Sequence, residues 1–217
     1  STLSLSGGGT FANTMSLVLD NAASKLLLSS ITVDNVSTSV DNSLGVEVEN
    51  DSTITSLSVA NITPVSIATG KTLSGAIGVT AGSIKLTDTG TLASTIEMSG
   101  GTLDADNSLT VSGALTQSGD ITIDVADTST LTYTGSPISL GEFSLMLTGG
   151  GNLLSGGLDL NNANSKLLLS SITVDKVSTS VDNSLGVEVL SDSTVRNLSL
   201  SQKLRLSVGS AQTLIIT

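Results

Sequence analysis

Apolar and polar residues alternate along nearly the whole chain. Runs such as 121–125 and 204–208 place an apolar side chain at every second position. A period of two residues is typical of β-strands, because successive side chains of a strand point to opposite faces. Turn-forming pairs such as Asp41-Asn42 separate these runs, and no segment shows helical periodicity. The pattern predicts an all-β chain without substantial helix.

The strongest pattern is a long internal duplication. Residues 24–48 and 165–189 share 24 of 25 residues, and the single difference replaces Asn35 by Lys176. Weaker similarity extends to both sides at nearly the same spacing of 141 residues. We therefore interpret residues 1–217 as one elongated body with about one and a half copies of a 141-residue unit, 3–144 and 145–217.

The two copies are expected to fold alike, with the same residues inward. Asn35 and Lys176 should face solvent, because an asparagine and a lysine cannot replace each other in a packed core at tolerable cost. Equal burial is expected at four pairs of apolar positions: Leu26 and Leu167, Leu28 and Leu169, Ile31 and Ile172, and Val33 and Val174.

The duplication also helps to choose between two all-β architectures. Strands separated by turns every ~10 to 13 residues are compatible with a sandwich or a solenoid. A sandwich cannot gain half a unit without exposing an edge, whereas a solenoid adds coils along its axis and keeps its cross-section. We therefore predict a parallel β-helix, that is, a β-solenoid.

Composition narrows the possible functions. Aromatic residues make up only 1% of the chain, so the core must consist of thin aliphatic layers, and the absence of cysteine excludes disulfides. No apolar run approaches the ~18 residues of a membrane-spanning helix. A net charge of −11 argues against nucleic acid as a partner. The Ser, Thr, Gly and Asn bias and the acidic charge favour an extracellular or cell-surface protein.

Strand-turn units such as residues 108–113 and 145–151 resemble those of bacterial autotransporter passengers and filamentous-haemagglutinin-like proteins. The resemblance rests on composition and rhythm along the whole chain. It implies a surface-exposed or secreted right-handed β-helix that serves adhesion, matrix building or filament formation. It transfers no functional residue to this sequence.

Candidate catalytic chemistry is confined to carboxylates, because the chain has neither histidine nor cysteine. β-Helices do host polysaccharide-cleaving enzymes with aspartate clusters, so a carbohydrate-active enzyme is the main alternative to a structural or adhesive role. We interpret the candidate carboxylates as residues of turns and of the solvent side of the coil, and we predict no catalytic activity. These candidates are Asp104 with Asp106, which would share one strand face, and Asp120 with Asp124 and Asp127.

Two further alternatives depend on repeated polar residues. Residues 128–134 carry four alternating threonines, which suggests an ice-binding solenoid if such a face extends over many coils. The pattern is local in the sequence, and threonine is a good strand former. No cofactor is predicted, although acidic turns suit calcium. The aspartates of these turns are Asp20, Asp34, Asp41, Asp106 and Asp182.

Both ends of the chain consist of strand-like sequence without a polar cap. An open coil presents unpaired backbone groups and a slice of core, so we expect the chain to associate with itself, head to tail, as a filament or surface fibre. Basic residues gathered near the C-terminal end favour this direction. A surface glycan or host ligand is a further possible partner. The expected end-to-end contacts are Leu3, Leu5, Lys203, Arg205, Leu214, Ile215 and Ile216.

Overall fold

The computed structural model describes all 217 residues and contains 27 strands and no helix. The chain winds through about ten coils, where a coil is one full circuit around the long axis. Apart from one isolated bridge between Ala126 and Gly150, all strand pairs are parallel. The prediction of an all-β parallel solenoid is confirmed.

Each coil contributes one strand to a first sheet of 11 strands. From the N-terminal to the C-terminal end these are β1 (Thr2–Ser6), β4 (Lys25–Ser29), β6 (Gly45–Asn50), β8 (Thr63–Ile67), β10 (Ser83–Leu86), β13 (Thr102–Ala105), β16 (Ile121–Val125), β19 (Ser144–Thr148), β22 (Lys166–Leu169), β24 (Asn183–Val189) and β26 (Leu204–Val208).

The remainder of each coil crosses a second sheet of 16 strands, as one long strand or two short ones. The long strands are β5 (Thr32–Thr38), β7 (Ser52–Val59), β9 (Thr72–Val79), β23 (Thr173–Thr179) and β25 (Ser193–Leu200). The short ones are β2 (Thr10–Phe11), β3 (Leu17–Leu19), β11 (Thr91–Leu92), β12 (Thr95–Met98), β14 (Leu109–Val111), β15 (Leu115–Gln117), β17 (Thr130–Tyr133), β18 (Ile138–Ser139), β20 (Asn152–Ser155), β21 (Leu158–Leu160) and β27 (Leu214–Ile216).

A continuous aliphatic core fills the space between the two sheets. It contains 45 buried hydrophobic residues, all of which are Leu, Val or Ile except Met98, Ala105 and Tyr133. The parallel register stacks them in columns, as where Leu103 pairs with Ile84 on one side and Ile123 on the other. The expectation of thin aliphatic layers is therefore confirmed.

The duplicated segments occupy equivalent coils, β4–β6 and β22–β24. Leu26, Leu28 and Val33 are fully buried, and so are their counterparts in the second copy. Ile172 is buried, whereas Ile31, only one coil from the N-terminal end, is half-buried. The expected equality of burial thus holds for three of the four pairs and is approximate for the fourth.

The single difference between the duplicated segments lies on the outer side of the second sheet. Lys176 is exposed, as predicted. Asn35 is half-buried, because its side-chain amide donates to the Asn13 carbonyl at 3.1 Å while Asn13 bonds back to the Asn35 backbone. Since Asn35 faces outward, it could be exchanged for lysine without touching the core.

The repeated unit corresponds to seven coils. Strand β1 is followed along the first sheet by β4, β6, β8, β10, β13, β16 and then β19, where the second copy begins. At this junction Ile121 and Ile123 of the first copy pair with Leu145 and Leu147 of the second. The chain therefore contains, in its own interior, one example of a unit stacked on a unit.

Candidate functional site

The candidate aspartates Asp104 and Asp106 lie together on the outer side of the first sheet. Lys85, one coil earlier, donates to Asp104 Oδ2 at 3.3 Å and to Asp106 Oδ1 at 2.9 Å. Asp124 lies beside Asp104 in the parallel register between β13 and β16. The structure thus adds a basic partner that the sequence did not reveal, and it brings Asp124 to the same cluster.

The environment of this cluster shifts two of its pKa values. Burial raises the pKa of the Asp104 carboxyl, and this effect outweighs the attraction to Lys85. The hydrogen bond to Asp106 raises the pKa of Lys85, so the amine is charged at neutral pH. None of the four surface cavities is lined by these residues. The cluster is an ion-pair network on an open sheet face, with no cleft around its acids.

The second candidate set does not form a site. Asp120 accepts a hydrogen bond from the backbone N–H of Ser144 at 2.7 Å, and Asp127 accepts one from the adjacent Thr128 at 2.9 Å. Asp124 belongs to the Lys85 cluster instead. Each aspartate therefore has a separate local contact.

Several turn aspartates connect successive coils. Asp41 accepts the backbone N–H of Ile62 at 2.9 Å, and Asp182 accepts that of Lys203 at 3.1 Å. Of the other candidates for calcium, Asp34 is half-buried within β5, Asp20 is exposed, and Asp106 belongs to the Lys85 cluster. No three acidic side chains lie close enough together to hold a metal ion.

Threonines form outward columns on the second sheet. Thr72, Thr91, Thr110 and Thr132 pair in consecutive coils. The alternating run is local in the sequence, whereas this column joins residues one coil apart and covers four coils. The predicted face of four threonines within 128–134 is wrong, because only Thr130 and Thr132 lie in β17.

The threonine column ends within the solenoid. Thr132 pairs with Leu154, and the same register continues to Asp175 and Arg196, whose charged groups lie 3.7 Å apart. The column beside it is formed by Thr130, Asn152, Thr173 and Thr194 in consecutive coils. In β17 the two columns carry threonine side by side, at Thr130 and Thr132.

The predicted end-to-end contacts lie on the first and last coils. Leu3 and Leu206 hold inward positions, in register with the buried Leu26 and Val187, yet they are 41% and 44% exposed. Ile215 and Ile216 are also exposed. Leu5 and Leu214 are half-buried against the core, while Lys203 and Arg205 are exposed.

Four exposed apolar residues in inward positions at the ends were missed by sequence reasoning, and Leu206 is one of them. Of the other three, Phe11 is paired with Val33, Leu200 with Thr179 and Val208 with Val189, so they also point toward the core. The 141-residue spacing could have indicated Val208, because it corresponds to the buried Ile67.

The fold places the protein among the parallel β-solenoids, as the resemblance noted above implied. No known protein family, no curated protein and no solved structure matches the chain. A relationship to autotransporter passengers or haemagglutinin-like proteins therefore stays a prediction. No helix in the structure is long and apolar enough to cross a membrane.

Proposed function

We propose that this protein is an extracellular structural or adhesive solenoid that assembles end to end, copy on copy. The observation that carries the proposal is the internal junction, at which the second copy of the repeat stacks on the first in continuous parallel register. Leu3 at one end and Leu206 at the other continue columns that are fully buried in the adjoining coils. Covering these residues would remove apolar surface from water and pair the free backbone groups of β1 and β26.

A second copy of the chain can stack in the same parallel manner. The junction between β16 and β19 already stacks the start of one unit on the last coil of another, with Ile121 and Ile123 paired to Leu145 and Leu147. The β1 surface corresponds by sequence to that of β19. At the other end β26 corresponds to β8 and not to β16, so a contact between molecules would repeat the parallel register and only the β19 side of this junction.

Two features favour a head-to-tail arrangement. All strand pairs of both sheets are parallel, and only stacking that keeps the chain direction continues parallel ladders across the contact. A tail-to-tail contact would also bring together the exposed Lys203 and Arg205 of both copies, which would repel each other. Head-to-tail contacts are heterologous, so they propagate into a filament.

The extracellular location rests on composition, namely the high content of Ser, Thr, Gly and Asn and the net charge of −11. We propose no catalytic role and no cofactor. Asp104 and Asp106, the best carboxylate pair, are held by Lys85 on an open sheet face.

Blocked ends test the proposal. Leu3→Lys should block the N-terminal face and Leu206→Lys the C-terminal face, and each variant alone should sediment as a monomer at concentrations where the unmodified chain forms long assemblies. Leu44→Lys is the matched control, because Leu44 is 46% exposed but lies away from the ends. It should assemble like the unmodified chain.

Mixing the two blocked variants determines the direction of assembly. In head-to-tail stacking the free C-terminal face of Leu3→Lys meets the free N-terminal face of Leu206→Lys, so the mixture gives dimers that neither variant gives alone. Dimers of a single variant would contradict the head-to-tail arrangement. Monomeric behaviour of the unmodified chain at every concentration would contradict end-to-end assembly altogether.

A further inference from the structure

Two of the surface cavities are the same groove in the two copies of the repeat. The cavities measure about 300 Å³ and about 430 Å³ and lie at the corner where the chain passes from the first sheet to the second. The smaller is lined by Ser30, Thr32, Asp51, Thr53 and Thr72. The larger is lined by their counterparts, Ser171, Thr173, Asp192, Thr194 and Thr213.

The groove residues persist where the two copies otherwise differ. Residues 49–76 and 190–217 are identical at only eight of 28 aligned positions. Four of those eight residues line the groove in both copies: Asp51, Ser52, Thr53 and Thr72, with Asp192, Ser193, Thr194 and Thr213. The recurrence of the groove is therefore not a simple consequence of the nearly identical segment 24–48.

The groove has the same rigid frame in both copies. One oxygen of Asp51 accepts the backbone N–H of Thr72 at 2.8 Å, and Asp192 accepts that of Thr213 at 2.7 Å. The second oxygen of each exposed carboxylate is left for a ligand. Ser30 and Ser171 adopt left-handed backbone conformations, with φ of 56° and 53°, which are uncommon for residues other than glycine and concentrate at functional positions.

The lining selects the chemistry of the ligand. Hydroxyl groups of Ser and Thr both donate and accept hydrogen bonds, and a carboxylate accepts from hydroxyl donors. No Lys or Arg lines either groove, and the single carboxylate of each repels anions. The volumes fall in the range of small-ligand sites, ~300 to 1,000 Å³. A neutral polyol fits this lining, because its hydroxyl groups can donate to the carboxylate and can both donate to and accept from the Ser and Thr hydroxyls.

We infer that the two grooves are binding sites for a neutral saccharide, which one polysaccharide chain can occupy together. Seven coils separate the sites, so at ~4.8 Å per coil they lie roughly 34 Å apart on the same face. Without an aromatic side chain in the lining, each groove binds weakly. Simultaneous engagement raises the affinity for a polymer well above that for a short oligosaccharide.

This inference rests on the adhesive role proposed above, but it does not depend on end-to-end assembly. Binding is therefore measured on the monomeric Leu206→Lys variant, by affinity electrophoresis and microarray with neutral glucans, mannans, galactans and xylans. At least one of these polysaccharides should bind. Calorimetry with a short oligosaccharide of that polymer should give two sites per chain.

Substitutions of equal size isolate the grooves. Thr32→Val with Thr53→Val removes hydroxyls from the first groove, and Thr173→Val with Thr194→Val removes them from the second. Valine keeps the strand preference of threonine, so the fold should be unchanged. Each pair should reduce the stoichiometry from two to one and weaken polysaccharide binding by about tenfold or more. The double variant Thr91→Val with Thr110→Val, in the same sheet face outside the grooves, should bind normally.

Several results would overturn the inference. Absence of binding to all four neutral polymers, binding that all four groove substitutions leave intact, or preference for an anionic polymer would each do so. If calcium without any saccharide stabilises the protein, and Asp51→Asn abolishes this stabilisation, the groove is a cation site instead. If the unmodified chain forms filaments but no neutral saccharide binds, the saccharide sites are refuted and end-to-end assembly is not. If a saccharide binds but the unmodified chain forms no filaments, end-to-end assembly is refuted and the saccharide sites are not.

Discussion

Asp104 shows how a single carboxylate responds to partial burial on the sheet face. Its pKa is raised by burial, in spite of the hydrogen bond at 3.3 Å from Lys85. The folded state therefore binds the Asp104 proton more tightly than the unfolded chain does. Its contribution to stability is complete below the ordinary pKa of the group and is lost as the pH rises through the raised pKa.

Asp104→Asn should therefore become progressively more stable relative to the unmodified chain as the pH rises from below the ordinary carboxyl pKa through the raised pKa of Asp104. Glu188→Gln is a control of opposite direction, because the hydrogen bond from Lys166 lowers the pKa of Glu188. That stabilisation is present above the ordinary pKa and disappears as the pH falls. Urea unfolding at several pH values measures both differences. If Asp104→Asn instead becomes less stable relative to the unmodified chain as the pH rises, the attraction of Asp104 to Lys85 outweighs the effect of burial.

The residues of this cluster also show what the sequence could predict at this scale. Alternation placed Asp104 and Asp106 on one strand face, and both do contact Lys85. The lysine itself could not be assigned, because it pairs with Asp104 across a coil of 19 residues. Other coils span 24 residues, as between Ile121 and Leu145, so no fixed spacing leads from one partner to the next.

At the scale of the elements, glycine determines where coils can approach closely. Gly186 has a φ of +72°, and a Cβ built on it would lie 1.9 Å from the carbonyl oxygen of Arg205 in the next coil. Asn183 accepts the N–H of Gly186 and is itself buried. Gly45 has the same relation to Pro64 in the first copy, with the same separation of 1.9 Å.

Gly186→Ala should lower the free energy of unfolding much more than Gly70→Ala. Gly70 has the same φ of +72° but no atom within 4 Å of an added Cβ, so it reports the backbone cost alone, about 1 to 2 kcal/mol. Gly186→Ala carries that cost and must also push β26 away from β24. Chemical denaturation of both variants measures the difference, and equal losses would show that the close approach of the coils is unimportant.

Strand existence was predictable from period-two alternation, but strand division was not. In the coil of β10, the second-sheet segment is split into β11 and β12 around Ala93 and Ser94, whereas β9 one coil earlier is continuous. The alternation is similar in both coils. The position of the split was therefore not predictable from the local pattern.

For the whole molecule, the seven-coil unit makes insertion a direct test. A further copy of residues 24–164 placed between Asn164 and Ser165 should extend the solenoid by seven coils, because Asn164-Ser24 reproduces the type of junction found at Ala23-Ser24. In the Leu206→Lys background, small-angle scattering should show a maximum dimension longer by roughly 34 Å with an unchanged cross-section. A control insert of residues 24–154, which is out of phase with the unit, should disrupt the fold. A thicker particle with the in-phase insert would contradict the seven-coil unit.

The duplication was thus sufficient to predict the architecture, and it also defined positions equivalent in burial, such as Leu26 and Leu167. It could not indicate the paired grooves. Their lining combines Thr32, Asp51 and Thr72, which are separated by about one coil each and become neighbours only through the winding of the chain. Alternation also predicted apolar residues in the first and last strands, where Leu3 and Leu206 hold inward positions.

Electron microscopy of the concentrated native protein tests end-to-end assembly most directly. End-to-end stacking should give unbranched filaments of constant width in which strands run across the axis, with a strong axial repeat of ~4.8 Å. Blocking either end, by Leu3→Lys or Leu206→Lys, should abolish the filaments, and Leu44→Lys should not. Single particles of about ten coils, roughly 50 Å long at every concentration, would contradict it.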